Sequence, residues 1–161
     1  MYQPDQTDWD IIALLNKDGR ASSAEISRQL GMVSARTVTN RIDALIEHGI
    51  INIRSIVNPG MVGYGVLADV FIEVEPGNVR RVADKLADLP QISYIVCATG
   101  EADIIISIRA QTIQELYNFV IEVIGKIPSI SNTRTYLLPL TIKNATTWMP
   151  PDIPKREEDN A

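Results

Sequence analysis

Residues 22–48 read SSAEISRQLGMVSARTVTNRIDALIEH, and their spacing decides how the first third of the chain folds. Ser22 followed three residues later by Glu25 is a capping-box pattern, which predicts a helix start. Ile26 and Leu30, four apart, give that short helix one apolar face. Gly31 stops it, since glycine takes the left-handed conformation that many helix ends require. Ser34 can cap a second helix, along which Val38, Ile42, Leu45 and Ile46 fall at i, i+4, i+7 and i+8. Two short helices joined through a glycine-containing turn predict a helix-turn-helix.

Off the apolar stripe, the first turns of the second helix carry Arg36, Thr37, Thr39, Asn40 and Asp43. These residue types suit the major groove of double-stranded DNA, where Arg pairs with guanine, Asn with adenine, and Thr offers a hydroxyl or a methyl. A recognition helix presents its N-terminal residues to base edges. An ordinary helical hairpin with a solvated face fits the same pattern.

Composition narrows the class. The 161 residues are 45% hydrophobic and 22% charged, enough for one ordinary domain or two small ones with real cores. No apolar run reaches the ~18 residues of a membrane span, and the opening MYQPDQTDWD is polar and acidic, unlike a secretory signal; a cytoplasmic location is expected. Cys97, the single cysteine, excludes an intrachain disulfide and a cysteine-rich metal site, and is expected to be a small buried strand residue. A net charge of −5 argues against a general nucleic-acid coat. Residues 1–60 hold six Lys/Arg against seven Asp/Glu, so one copy should bind DNA weakly and an assembly more strongly.

In chain order, residues 8–16 form a first helix capped by Asp8, with Asp10 favourable in its first turn and Trp9, Ile12, Ala13 and Leu15 covering the helix pair. His48-Gly49 ends the third helix, and 50–57 (IINIRSIV) reads as a strand, which would make the unit a winged helix-turn-helix with Arg54 on the wing, near the DNA backbone or simply solvated. Asn58-Pro59-Gly60 marks a boundary. Beyond it the pattern becomes a strand at 65–75, a helix at 78–88, strands at 92–98 and 103–110, a helix at 112–126 capped by Thr112, and a strand at about 132–142 with a bulge or edge at Pro139. The 112–126 helix is expected to bury Ile113, Leu116, Tyr117, Val120 and Ile124. The order βαββαβ is that of a ferredoxin-like sandwich, an α+β fold whose two helices cover one sheet face. The other face, with Leu67, Phe71 and Ile95, is too apolar to leave wet and calls for a second copy. The expected division is 1–60, 61–147 and an irregular, proline- and charge-rich tail at 148–161, whose Trp148 and Met149 tie its start to a neighbouring surface.

Together the two halves resemble the Lrp/AsnC, or feast/famine, family of transcription regulators. The resemblance covers roughly residues 7–147 and rests on DWDIIALLNKDGRASSAEISRQLGM, TVTNRIDALIEHGIINIRSIVNP, ATGEADIIISIRA and IPSISNTRTYLLPLTIK in that order. It implies an N-terminal DNA-binding unit and a C-terminal ferredoxin-like unit that binds small molecules, commonly amino acids, and dimerises through its sheets, often assembling further. Carried over by position, the DNA role falls on Ser34, Ala35, Arg36, Thr37, Thr39 and Asn40, and on Arg41, which lies beside the buried stripe and suits an ion pair with a first-helix carboxylate equally well. The effector role falls on the loop Thr99-Gly100-Glu101-Ala102-Asp103, with Thr133 and Thr135 adding hydroxyls. There Gly100 admits a ligand to the backbone N–H groups and Asp103 can take an amino group, although a plain tight turn has the same composition. The turn Gly31-Met32-Val33-Ser34 is one residue longer than the family's glycine–apolar–serine pattern, which implies a shifted recognition helix.

Two other functions compete. A regulator that no longer binds DNA and acts by assembling with related chains would fit the longer turn and the negative charge. The chain also resembles siroheme decarboxylases in architecture, and Tyr94, Tyr117, Tyr136, Arg109 and Arg134 are the residues such an enzyme could use. No nucleophile–base constellation, phosphate loop or metal cluster is visible, and the sole histidine, His48, sits at a helix end, so neither catalysis nor a cofactor is expected.

Overall fold

The computed structural model describes residues 2–144 and 148–151. The chain divides into two compact units, one made of the described residues up to 55 together with those from 143 on, the other of 56–142. The expected tail thus has its first described residues in the N-terminal unit, where Asn16 Nδ2 lies 2.9 Å from Met149 Sδ. Residues 152–161 lie outside the described residues.

The N-terminal unit is three helices, α1 (Gln6–Lys17), α2 (Ser23–Leu30) and α3 (Ala35–Glu47). Their caps follow the sequence. Ser22 accepts from the Glu25 N–H, Gly31 closes α2 at φ 69°, and Ser34 accepts from the Thr37 N–H. Ile11, Ile26, Leu30 and Val38 pack together, with Val33 and Ile42 against them. Each fully buried side chain of this size contributes about 1.5–3 kcal/mol relative to exposure.

Three expectations change here. Helix α1 begins at Gln6 with Asp5 as its cap, and Asp8 is the third helical residue, completing a reciprocal capping box. Ile46 is exposed, because the stripe that meets α1 and α2 is set by Val38, Ile42 and Leu45. Residues 51–58 form no strand. Ile53, Ile56 and Val57 are exposed, since an apolar strand pattern becomes a strand only where another strand supplies the ladder.

The C-terminal unit is β1 (Val66–Val74), α4 (Val79–Ala87), β2 (Ile92–Cys97), β3 (Ile104–Ala110), α5 (Ile113–Glu122) and β4 (Ile130–Leu137). The sheet order is β2-β3-β1-β4 with every neighbouring pair antiparallel, as the βαββαβ sequence order implies. Ala68, Val70, Ile72, Ile104, Ile106 and Ile108 form the buried face, covered by Val82 and Leu86 from α4 and Leu116, Phe119 and Val120 from α5.

Pairing decides what periodicity left open. Ile95 opposes Ile106 and packs on this helix-covered core, so the open face of β2 carries Tyr94 and Val96 instead. Cys97, expected to be buried, is exposed on the edge strand. Ile113 and Tyr117 are exposed and Phe119 is buried; with Thr112 as cap, Ile113 is the first helical residue and the stripe that reaches the sheet is rotated from the expected one. Helix α5 stops at Glu122 and a 3₁₀ turn spans Ile124–Lys126. Strand β4 ends at Leu137, before Pro139, which has no N–H for the ladder. The irregularity in its pairing lies near the start of β4, where Glu73 opposes Asn132, Val74 opposes Ile130 and Ser131 is left over.

Candidate functional sites

On α3 the outer ridge runs Arg36, Asn40, Asp43, Glu47, at i, i+4, i+7 and i+11, all exposed. The ridge is therefore cationic and amide-bearing at the helix N-terminus and acidic at its C-terminus. Against a polyanion, only the N-terminal turns can approach. Among the described residues Arg36 and Asn40 have no hydrogen bond or ion pair, so their side chains are free to reach a partner. The hydroxyls are less free. Ser34 Oγ caps the helix and lies 2.9 Å from Thr37 Oγ1, while Thr39 Oγ1 bonds Ser23 Oγ at 2.9 Å and the Ala35 carbonyl at 3.1 Å. Ala35 is half-buried, and Arg54 is exposed on irregular chain rather than on a wing strand.

The longer turn resolves simply. Met32 projects into solvent at 82% exposure, whereas Val33 packs in the core and its carbonyl accepts from Ser27 Oγ at 2.6 Å. The extra residue is turned outward, and Ser34 keeps its capping position.

Of the two roles open to Arg41, the structure places it in the ion pair. Its Nη1 lies 2.8 Å from Asp5 Oδ1 and 2.9 Å from Asp8 Oδ1. Asp8 is only 1% exposed, and its other oxygen accepts from the Tyr2 hydroxyl at 2.9 Å and the Asp5 N–H at 3.0 Å. The hydrogen bond from Arg41 holds the Asp5 carboxyl below its usual range, and the bonds to Asp5 and Asp8 raise the guanidinium. Burial, and then the bond to Asp8, push the Tyr2 phenol up. The Tyr2 ring also stacks on His48, the residue that ends α3, at 4.9 Å. Residues 2–8 thus grip the back of α3 at two places along its length.

In the C-terminal unit, the open sheet face and the loop between β2 and β3 enclose a cavity of about 460 Å³. Thr99, Glu101 and Ala102 from the expected effector loop line it. Gly100, at φ 134°, allows the loop its turn. Asp103 is engaged with the strands instead. Its Oδ2 accepts from the Val74 N–H at 2.8 Å, and its backbone bonds both Ile72 and Ala98. Asp103→Ala should cost about 1.5–3 kcal/mol, the range of a lost charge-assisted bond, read as faster hydrogen exchange at the Val74 amide.

Thr133 and Thr135 are in register with Ile72 and Val70 and so stand on the helix-covered side of β4, away from this cavity. Arg134 and Tyr136 line it instead, with Asp69, Phe71 and Ile105. Arg134 Nη2 is 2.9 Å from Glu73 Oε1, and Nη1 is 3.4 Å from Glu101 Oε2. Asp69 Oδ1 accepts from Ser107 Oγ at 2.6 Å, and Phe71 meets Tyr136 edge to face at 5.3 Å. The signal that reveals these residues in sequence is the period-2 phase of β1 and β4. Of the five residues considered for an enzyme, Tyr136 and Arg134 line the cavity, while Tyr117 is exposed on α5. Among the described residues no group of three His, Cys, Asp or Glu side chains is placed to hold a metal, and no helix is long and apolar enough to cross a membrane.

Comparison with known proteins gives both units a likeness. Residues 4–52 match the winged helix-turn-helix DNA-binding model, and residues 67–148 match the Lrp/AsnC ligand binding domain. A helix-turn-helix transcriptional regulator of Pyrococcus abyssi is 38% identical over 137 residues, covering 84% of this chain and 86% of the relative. The regulator FL11 of Pyrococcus furiosus is 35% identical over 147 residues, covering 91% and 95%. Among solved structures, AsnC of E. coli superposes with a TM-score of 0.80 at 27% identity, covering 95% of this chain and 100% of that one. A Neisseria meningitidis regulator solved as its L-Met complex superposes at 0.84 and 20% identity, covering 91% and 97%, a likeness of fold.

Proposed function

Since the chain belongs to the Lrp/AsnC family of transcription regulators, we propose that it binds double-stranded DNA through the N-terminal turns of α3 and that a small metabolite modulates this binding through the loop Thr99–Asp103. The observation that carries the DNA half is the pair Arg36 and Asn40, exposed and unengaged on the outer ridge of a well-capped helix. Arg and Asn are the side chains that make two-pronged contacts to guanine and adenine. Ser34, Ala35, Thr37 and Thr39 form the collar around them, and Arg54 adds a phosphate contact.

A second copy completes the design. The open sheet face presents Tyr94, Val96 and Tyr136 to solvent beside Leu67 and Phe71, an apolar surface that a second sheet would cover. Two linked reading units also offset the chain's net charge of −5, since the second contact becomes intramolecular. The metabolite half is supported by the ligand-binding model over 67–148 and by the L-Met found with the Neisseria regulator; an α-amino acid is the class proposed.

The test is fluorescence anisotropy with the full chain and a labelled fragment of its own promoter, at low and moderate salt, against a scrambled fragment of equal length. Selective binding that weakens as salt rises is expected. Equal binding to both fragments, or none at low salt, would favour the assembly-partner reading.

A further inference from the structure

We infer that Asp69 and Arg109 select which chain can cover the open sheet face, each carboxylate meeting the guanidinium of the opposite copy, so that this chain pairs with itself. The inference rests on the reading that a second copy lies over that face, and adds what decides the identity of that copy. The alternation that puts Leu67 and Phe71 on the open side of β1 puts Asp69 there too, between them. On β3 the open side carries Ile105, Ser107 and Arg109, since Ile104, Ile106 and Ile108 are buried. Strands β1 and β3 are the two central strands, so neither charge lies on an edge strand.

Four strand residues on this face are charged, and two of them answer each other. Arg134 Nη2 lies 2.9 Å from Glu73 Oε1. Asp69 and Arg109 remain. Asp69 is half-buried, and the one bond to its carboxylate among the described residues comes from Ser107 Oγ, at 2.6 Å. Arg109 is half-buried as well, and its guanidinium has no hydrogen bond or ion pair among the described residues. The two are diagonal neighbours, because Asp69 opposes Ser107 and Arg109 opposes Leu67, yet their side chains do not pair within the chain. An apolar sheet laid over them strips water from a carboxylate and a guanidinium, and each then needs a counter-charge. A two-fold interface supplies both at once, because a contact between one residue and another is repeated with the copies exchanged. Asp69 of each copy then faces Arg109 of the other. A foreign chain that lacks either charge leaves one ion buried and unanswered, a penalty that apolar contacts alone cannot impose.

The test is sedimentation velocity of the full chain over a dilution series, for wild type, Asp69→Lys, Arg109→Asp and Tyr136→Glu. Wild type should dimerise. Each charge reversal should weaken its own dimer at least tenfold, because two like-charged contacts replace two of opposite sign. An equimolar mixture of Asp69→Lys and Arg109→Asp should recover wild-type association as a heterodimer, identified by native mass spectrometry, since both its contacts are again of opposite sign. An ion pair formed inside one copy gives no such recovery, because mixing leaves each chain's own pair broken. If circular dichroism shows that either reversed chain does not fold, Asp69→Asn and Arg109→Gln give the same readout. Their mixed dimer keeps one of the two pairs, and neither homodimer keeps any. Reversals that dimerise like wild type, or that do not recover on mixing, overturn this inference. The sheet-face reading then still stands if Tyr136→Glu, an exposed position on the same face, weakens the dimer. A wild-type monomer throughout, or a dimer indifferent to Tyr136→Glu, overturns the sheet-face reading and this inference with it.

Discussion

Replacing Arg41 by methionine is expected to destabilise the N-terminal unit by about 2–3 kcal/mol. Removing one partner of a buried ion pair costs roughly 3–5 kcal/mol, because the other charge is left without compensation. Asp8, at 1% exposure, is such a charge, but Arg41 keeps 29% of its side chain in solvent, which lowers the expectation. Tryptophan fluorescence in urea isolates the effect, since Trp9 and Trp148 both belong to the N-terminal unit. Arg41→Lys should recover part of the loss, because an ammonium supplies the charge without the fork.

The same ion pair fixes the sign of an acid effect. Arg41 lowers the Asp5 pKa, so the contribution of that carboxylate is complete above its ordinary value of 3.8 and is lost as pH falls through the lower folded value. The gap between wild type and Arg41→Met should therefore narrow below about pH 3.8. A methionine variant as stable as wild type at neutral pH would mean that the Asp5–Asp8–Arg41 group is solvated, and α3 would lose its rear support.

Replacing Arg36 and Asn40 by alanine is expected to remove selective DNA binding without loss of stability. A good two-pronged base contact carries about 1–3 kcal/mol of discrimination, so each substitution should weaken promoter binding by roughly 5- to 150-fold and bring it toward the scrambled fragment. Neither side chain is buried or bonded, so the unfolding midpoint should hold. Arg54→Ala should behave differently, with a smaller loss shared by both fragments and a salt slope reduced by about one. If the double alanine variant still selects the promoter, the bases are read elsewhere, and the outward Met32 turn is the next element to test.

The sequence was most informative where a local pattern had one solution. Ser22, Gly31 and Ser34 announce their helix ends because capping involves only the neighbouring three or four residues. Val38 and Leu45 announce the core for the same reason. It was least informative where a second segment decides. Asp5 and Asp8 both fit a helix cap, and both take part in the capping box, but only the position of Arg41, 33 residues from Asp8, explains why Asp8 is buried.

Tyr94, Ile95 and Val96 are all apolar, so the side of β2 that meets the core is fixed only by pairing of Ile95 with Ile106. Strand β4 shows how much one residue of phase matters. The two threonines and the pair Arg134 and Tyr136 alternate along it, and a shift of one residue exchanges which pair meets a ligand. The cavity itself draws on three strands and a loop, and nothing local marks it. The apolar run at 50–57 reads as a strand because its residues suit one; the missing ingredient is a neighbouring strand.

A ligand and DNA that are coupled through one protein must change each other's affinity by the same factor, so linkage gives a direct test. Promoter affinity should be measured with and without a saturating concentration of whichever amino acid titration shows to bind, and amino-acid affinity with and without the promoter fragment. The expected result is a change of the same factor in both directions, on the order of 5- to 150-fold for a typical coupling energy. Two affinities that are each indifferent to the other partner would contradict the coupling and leave a DNA-binding protein with an unconnected ligand site.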